Sequence, residues 1–398
     1  MANTPSGLIG KQGYGCPTKS GALNVCKPAA ISASALASGP IPLARVKAVT
    51  IRVLVVDDSP TMRAILMSRL SNEPDISVAG TAANAAEARE LIKQLDPDVV
   101  TLDIEMPGMN GLDFLEKLMQ LRPTPVIVVS GSTEAGNSVT ARALALGAVH
   151  CYAKCDRSGG LPLNDNGRLA DLIREAAQVR FGGRSAAPAA PAAPAAPALT
   201  KTIDASKAKV IAIGSSTGGV EALQVLLRHF GPDCPPTLVV QHVHARFAPA
   251  IAQTLDQVSR ARVQLAEPDL PLRPGHVYLA PGDRHLLLGG TNQLHTKLRT
   301  GELISGHRPS VDALFHSVAK VAGPNAVGVL LTGMGSDGAK GLLAMSRAGA
   351  PTIAQDEVSC TVFGMPRAAI ELGAAQVVLP LQRIASQLLR RRQASQAA

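Results

Sequence analysis

The chain of 398 residues has no tryptophan, three tyrosines and six phenylalanines. So few aromatics leave little for stacking on unpaired bases, which argues against a protein built to hold single-stranded nucleic acid. Its six cysteines (Cys16, Cys26, Cys151, Cys155, Cys234 and Cys360) are scattered rather than clustered. That excludes a disulfide scaffold and suits a reducing compartment. His150, Cys151 and Cys155 lie close in sequence, but no second ligand pair follows at zinc spacing, so ordinary thiols beside an apolar strand are the favoured reading. No apolar run approaches the ~18 residues of a membrane span, and the N-terminus lacks the apolar core of a signal peptide. A cytoplasmic protein with no membrane insertion is expected. Lys and Arg outnumber Asp and Glu by 39 to 30, a net charge of +9, and part of that excess is the run Arg390, Arg391 and Arg392. A basic surface that meets an acidic protein accounts for this balance as well as a nucleic-acid partner does.

What the sequence does have is glycine-punctuated strand-to-helix turns. In Val210 to Glu221, VIAIGSSTGGVE, an apolar run rich in β-branched residues stops at Gly214, and a helical pattern runs from Val220 to Phe230. The turn spells Gly214-Ser215-Ser216-Thr217-Gly218, a spacing that presents a serine hydroxyl at the top of a sheet near backbone N–H groups able to hold an oxyanion. Ser216 is the candidate nucleophile. Glycine-rich turns of this kind more often serve packing or bind a phosphate, so the motif needs company.

Residues 1–50 are rich in Gly, Pro, Ser, Thr and Ala without helical or strand period and are expected to be a disordered extension. From Ile51 the pattern becomes strand then helix, repeated five times, which predicts one doubly wound parallel sheet over 51–180. Strands are expected at 51–56, 76–80, 98–102, 125–129 and 149–153, with helices at 60–71, 84–95, 111–121, 134–147 and 168–180. Asp57 and Asp58 follow the first strand, Asp103 the third, Ser130 the fourth and Lys154 the fifth, so all five gather at the carboxyl edge of the sheet. Three carboxylates forced together repel, and a Mg²⁺ ion with oxygen ligands relieves that. An aspartate so placed can accept a phosphoryl group, with a lysine neutralising the transferred oxygens and a hydroxyl sensing the product. Singly, each residue has a plainer use as helix cap, turn residue or solvated cation; five in register make the plain readings jointly improbable.

Residues 181–208 contain AAPAAPAAPAAP, which cannot form a core and is expected to be an extended interdomain linker. A second α/β domain is expected over 209–392, followed by a tail at 393–398. Its strands are placed at 209–213, 237–241, 276–280, 285–289, 326–331 and 351–354, with an antiparallel, hairpin-like excursion between 262 and 300. His242 directly follows TLVVQ, and Asp337 lies in TGMGSDG after AVGVLL. If those strands are parallel, Ser216, His242 and Asp337 reach one sheet edge, where His242 would take the serine proton, Asp337 would fix its tautomer and the Met334 amide would face the oxyanion. His244, His276, His285 and His307 compete with His242 on spacing alone, and Asp283 competes with Asp337.

VVDDSP, TLDIEMPGMNG, IVVSGS and YAKC together resemble a response-regulator receiver domain of two-component signalling. The resemblance implies a flavodoxin-like fold, phosphorylation of Asp103 by a histidine kinase, Ser130 and Lys154 as switch residues, and Mg²⁺ held by Asp58, Asp103 and the backbone of Glu105, with Asp57 assisting. The family usually has proline after the lysine; here Cys155 stands there. Downstream, IGSSTGGVEAL, VVQHV, PGHVYLAPGDRH, HRPSVDALFHSVA, VGVLLTGMGSDGAKGL and TIAQDEVSCTVFGMPRAAIELG are similar to the catalytic domain of the CheB-type protein-glutamate methylesterases of bacterial chemotaxis. That resemblance implies a Ser216, His242, Asp337 triad with no cofactor for the ester step. It also implies methyl-accepting chemotaxis receptors as substrate, glutamine deamidation as a second activity, and a chemotaxis histidine kinase as partner. The alternative is a phosphorylation-dependent adaptor that keeps the fold without catalysis. A DNA-binding output would need a basic recognition helix, which the strand, glycine turn and helix repeats do not supply, so no nucleic-acid partner is expected.

Overall fold

The computed structural model describes residues 50–106, 111–131, 134–154, 167–179, 208–290 and 292–389. The expectations of a disordered 1–50, a linker across 181–208 and a tail at 393–398, and the conformation at Cys155, lie outside these residues, apart from 50 and 208.

The first half is a five-stranded sheet built from β1 (Ile51–Val56), α1 (Pro60–Leu70), β2 (Ile76–Ala82), α2 (Ala85–Leu95), β3 (Val99–Asp103), α3 (Gly111–Leu121), β4 (Val126–Ser130), α4 (Glu134–Ala145), β5 (His150–Ala153) and α5 (Arg168–Ala176). Strand order is β2-β1-β3-β4-β5, every pair parallel. Local chemistry sets the boundaries. Ser59 caps α1 by accepting from the Met62 amide with Pro60 in the first turn, and Asn84 accepts from the Glu87 amide while the Glu87 carboxylate returns to the Ala83 N–H. These bonds satisfy amides a helix start otherwise leaves open. The central strands β3 and β4 are buried throughout because helices cover both faces of the sheet.

The second half adds β6 (Val210–Ser215), α6 (Gly219–Leu227), β7 (Thr237–Gln241), α7 (Ala248–Val258), β8 (Arg262–Leu265), β9 (His276–Leu279), β10 (His285–Gly289), β11 (His295–Arg299), α8 (Val311–Val321), β12 (Ala326–Leu330), α9 (Ala339–Arg347), β13 (Thr352–Gln355), α10 (Met365–Glu371), β14 (Val377–Leu379) and α11 (Leu381–Leu388). Its main sheet has seven parallel strands in the order β14-β13-β12-β6-β7-β9-β8. The expected antiparallel excursion is a separate two-stranded sheet, β10 with β11, that leaves the main sheet wholly parallel. β8 is short and mixed in polarity and β14 has only three residues, too little for periodicity to mark either, and they form the two edges. β12, β6 and β7 are adjacent, and the chain leaves β6 towards β7 and later returns to β12 on its other side. This reversal opens a crevice at their carboxyl ends.

The two halves pack on each other. α4 lies against α6 and α7, and Ala141, Leu144 and Ala148 share one apolar cluster with Val220, Leu223 and Phe247. On another side, Val362 and Met334 join a cluster otherwise made of first-half residues, among them Leu66, Tyr152 and Ile173. Among the described residues no helix is long and apolar enough to cross a membrane.

Candidate active site

Ser216, His242 and Asp337 follow β6, β7 and β12, three neighbouring strands. The two serines of the turn separate by burial. Ser215 is fully buried and donates to Gln241 Oε1 at 2.6 Å, whereas Ser216 is half-buried and lines a cavity of about 490 Å³. Gly218 turns the chain with φ +74° and opens α6, so the Ser216 hydroxyl stands beside a helix N-terminus. Gln241 ties the turn together: its Nε2 donates to the carbonyls of Ser216 at 2.8 Å and His242 at 3.2 Å. A Cβ on Gly219 would sit 2.1 Å from Gln241 Oε1 and 2.7 Å from Ser215 Cβ. Gly219→Ala is therefore expected to cost about 1–3 kcal/mol of overpacking, read as an earlier unfolding transition in urea, and to lower ester hydrolysis because Gln241 is displaced.

Asp337 is the best anchored group of the three. Its Oδ1 accepts from Ser310 Oγ at 2.8 Å and the Asp312 amide at 3.0 Å, and its Oδ2 accepts from the Val311 amide at 2.7 Å and pairs with His242 Nε2 at 2.8 Å. It thus sits on the N-terminus of α8, where Ser310 is the cap. Burial works to raise its pKa, but the hydrogen bond and charge of His242, with the amides of Asp312 and Val311, outweigh that and hold the carboxyl below its usual range. A buried carboxylate kept ionised this way fixes the imidazole tautomer with Nε2 protonated. His242 Nδ1 is buried and has no hydrogen-bond partner among the described residues, which leaves it as the basic nitrogen. Ser216 Oγ and Nδ1 share no hydrogen bond here, although both residues line the cavity. Gly333 passes so close to Ser216 that a Cβ on it would meet Ser216 Cβ at 2.8 Å, which brings the neighbouring Met334 amide next to the serine.

Of the competing residues, His285, Asp283 and His276 fall elsewhere, whereas His244 lines the cavity. His285 is buried with both ring nitrogens engaged, by the Glu302 carbonyl and the Ser310 amide. Asp283 is exposed and pairs with Arg284. His276 bonds the Pro274 carbonyl, away from the cavity. His307 does enter the site: its ring stacks on His242 with centroids 3.9 Å apart and planes 11° from parallel.

The first half also reaches the cavity, which spacing did not signal. His150, Leu172 and Glu175 line it together with Ser216. His150 Nε2 lies 2.9 Å from Glu175 Oε2 and 3.3 Å from Thr217 Oγ1, so the residue once weighed as a metal ligand is an ion-pair partner one residue from Ser216. Burial works to raise the Glu175 pKa, but the hydrogen bond and charge of His150, joined by the charges of His307 and His242, win and hold it low.

At the carboxyl edge of the first sheet, Asp57, Asp58 and Asp103 each offer an oxygen within 4.8 Å of the others. Lys154 Nζ lies 2.5 Å from Asp103 Oδ2 and 2.9 Å from Asp57 Oδ2. Burial pushes the Asp57 carboxyl above its ordinary value and the Asp103 charge adds to that, against the hydrogen bond and charge of Lys154. Burial lowers and the two carboxylates raise the Lys154 pKa; the carboxylates prevail. Ser130 closes β4 and is buried, and the Glu105 amide donates to Asp103 Oδ1 at 3.0 Å. An all-oxygen, anionic donor set of this size fits a hard divalent cation.

An acidic-pocket sheet domain docked over a serine, histidine and aspartate on a second parallel sheet defines the class: a receiver domain joined to a hydrolytic α/β domain. Residues 53–160 match the response regulator receiver domain and residues 211–388 match the CheB methylesterase. The protein-glutamate methylesterase/protein-glutamine glutaminase 1 of Caulobacter vibrioides is 49% identical over 341 residues, covering 85% of this chain and 97% of its own. The corresponding proteins of Rhizobium etli (49% over 342 residues, 85% and 96%) and Bordetella avium (protein 2, 51% over 347 residues, 86% and 97%) are similar to the same extent. The chain belongs to the CheB methylesterase family.

Proposed function

We propose that the protein hydrolyses glutamate γ-methyl esters on methyl-accepting chemotaxis receptors, and deamidates receptor glutamines, by acyl transfer through Ser216. The observation that carries this reading is the His242 Nε2 to Asp337 Oδ2 contact of 2.8 Å beside a half-buried serine in the same cavity. As His242 Nδ1 takes its proton, Ser216 Oγ attacks the ester carbonyl, and the imidazolium is stabilised by Asp337. The Met334 amide faces the oxyanion. His242 returns the proton to the leaving methanol, or to ammonia from a glutamine, then activates the water that frees the receptor carboxylate. No cofactor takes part in these steps.

The same proposal assigns Asp103 as acceptor of a phosphoryl group from a chemotaxis histidine kinase in the cytoplasm. Asp58, Asp103 and the Glu105 backbone, with Asp57 assisting, would hold a Mg²⁺ ion whose charge offsets that of the phosphoryl oxygens. Lys154 and Ser130 respond to the phosphorylated state. In the unphosphorylated form the receiver restricts the site. His150, Leu172 and Glu175 line the same cavity as Ser216, and the Met334 side chain packs in the receiver cluster, which support that reading.

The test is methanol release from methylated receptor membranes by the protein and by Ser216→Ala, each with and without a small phosphodonor and Mg²⁺. Release that needs Ser216 and rises with the phosphodonor is expected. No release under any condition would overturn the esterase reading in favour of the adaptor.

A further inference from the structure

His307 has no part in the Ser216, His242 and Asp337 chemistry, yet its ring stacks face to face on the base. Its backbone is pinned. Ile304 and His307 exchange both amide to carbonyl bonds at 3.0 Å, Ser305 Oγ donates to Asp312 Oδ2 at 2.7 Å, and the Arg308 guanidinium donates to the Gly301 carbonyl at 2.6 Å. The loop is thus fastened to itself and to the first turn of α8, the same turn that holds Asp337. Among the described residues His242, by contrast, has one ring hydrogen bond, through Nε2. A single bond fixes a point on the ring but leaves its plane free to turn about that point, and the turn would carry Nδ1 away from Ser216.

We propose that His307 is a positioning residue for His242: its neutral ring, stacked face to face at 3.9 Å, fixes the plane of the base so that Nδ1 meets the Ser216 hydroxyl. This rests on the acyl-transfer reading above. The stack also requires that at most one of the two rings be an imidazolium cation, since two cations at that spacing repel strongly. The proton taken from Ser216 resides on His242, next to Asp337, so His307 stays uncharged. The groups facing His307 fit that division. Burial lowers its pKa and the His242 charge lowers it further, against the opposing charges of Asp337 and of Glu175 from the receiver. Arg168 and Asp171 line the same cavity from α5, His150 pairs with Glu175, and His244 lines it beside His242.

The experiment compares the full-length protein with His307→Ala, His307→Phe and His242→Ala, all with phosphodonor and Mg²⁺, measuring kcat and KM for methanol release and the ¹⁵N spectrum of the labelled histidine rings. His307→Ala is expected to lower kcat about 10- to 100-fold with KM nearly unchanged. In the same variant the His242 ring signals should broaden as the ring samples more than one orientation, with the tautomer set by Asp337 kept. His307→Phe, which keeps a flat ring and cannot titrate, should recover most of kcat and the sharp ring signals. Wild-type kcat and ring signals in His307→Ala would overturn the proposal, as would a phenylalanine variant that folds but is as slow as the alanine one. His242→Ala separates the two levels: if it is inactive while His307→Ala is normal, only the positioning role fails; if it retains full activity, the acyl-transfer reading itself fails.

Discussion

Asp337→Asn is expected to lower kcat for ester hydrolysis about 10⁴-fold while the protein keeps its fold. The size follows from what the carboxylate accepts. Four donors converge on it: Ser310 Oγ and the Asp312 amide on Oδ1, and the Val311 amide and His242 Nε2 on Oδ2. An asparagine replaces one acceptor oxygen by an NH₂ group. Placed at the Oδ2 position, that group faces the Val311 N–H, donor against donor, and forces His242 Nε2 to accept, which moves the ring proton to Nδ1 and removes the base. Placed at the Oδ1 position, it opposes the Asp312 N–H; the tautomer survives, but the negative charge that stabilises the imidazolium is gone. Either way one buried donor loses its acceptor, at about 1–3 kcal/mol of stability.

The pH dependence of that stability has a definite sign. Asp337 has its pKa lowered by folding, so the native state binds fewer protons than the unfolded chain near the carboxylate range. Its contribution is fully present above the unfolded value, near 4, and is lost as pH falls through the lower folded value. The asparagine variant should lack this acid-side loss, so that wild type and variant converge in urea midpoint as pH drops below about 4. A variant with wild-type kcat, or midpoints that diverge in acid, would remove Asp337 from the role assigned here.

How much of this the residues announced depends on the kind of signal. Apolar strands flanked by glycine turns are local, and β1, β3, β4, β6, β7 and β12 fall within a residue or two of their expected bounds. So do the polar residues just past their ends, because a parallel sheet puts the residues after each strand at one edge. Other features are made by distant parts of the chain. His307 was one of several histidines near strand ends, and nothing in HRPSV states that its loop folds back across His242. Ser310 reads as an ordinary helix cap, and it is one, but its hydroxyl also holds Asp337 across 27 positions. His150 and Glu175 sit in different elements of the first half, and their meeting at Thr217 follows from α4 packing on α6 and α7, which no periodicity encodes. The Gly-rich turn of β6 was ambiguous for a local reason: GSSTG could serve packing or a phosphate as well as catalysis, and only the cavity that Ser216 shares with His242 gives it the company the motif needed.

Asp103→Asn is expected to abolish the response to a small phosphodonor, a rise of about 5- to 150-fold in the wild-type rate of methanol release, while leaving the basal rate unchanged. The argument runs through Lys154. Its ammonium now neutralises Asp57 and Asp103 together, and it stands one residue beyond β5. A phosphoryl group on Asp103 adds about 1.5 to 2 negative charges and becomes the stronger partner for Lys154, which pulls on the end of β5. The other end of that four-residue strand is His150, whose ring reaches Glu175 and Thr217 beside the candidate nucleophile. In the proposed switch this short strand, with Lys154 just past one end and His150 at the other, would be the mechanical link between the two sites. His150→Ala should therefore raise the basal rate without phosphodonor, because it releases Glu175 and Thr217 together, and should shrink the remaining response. Combined with Asp103→Asn, it should keep the raised basal rate and show no response at all. If His150→Ala were indistinguishable from wild type at both levels, β5 would not be the link, and the coupling would have to run through the apolar contact of α4 with α6 and α7 or through Met334 in the receiver cluster.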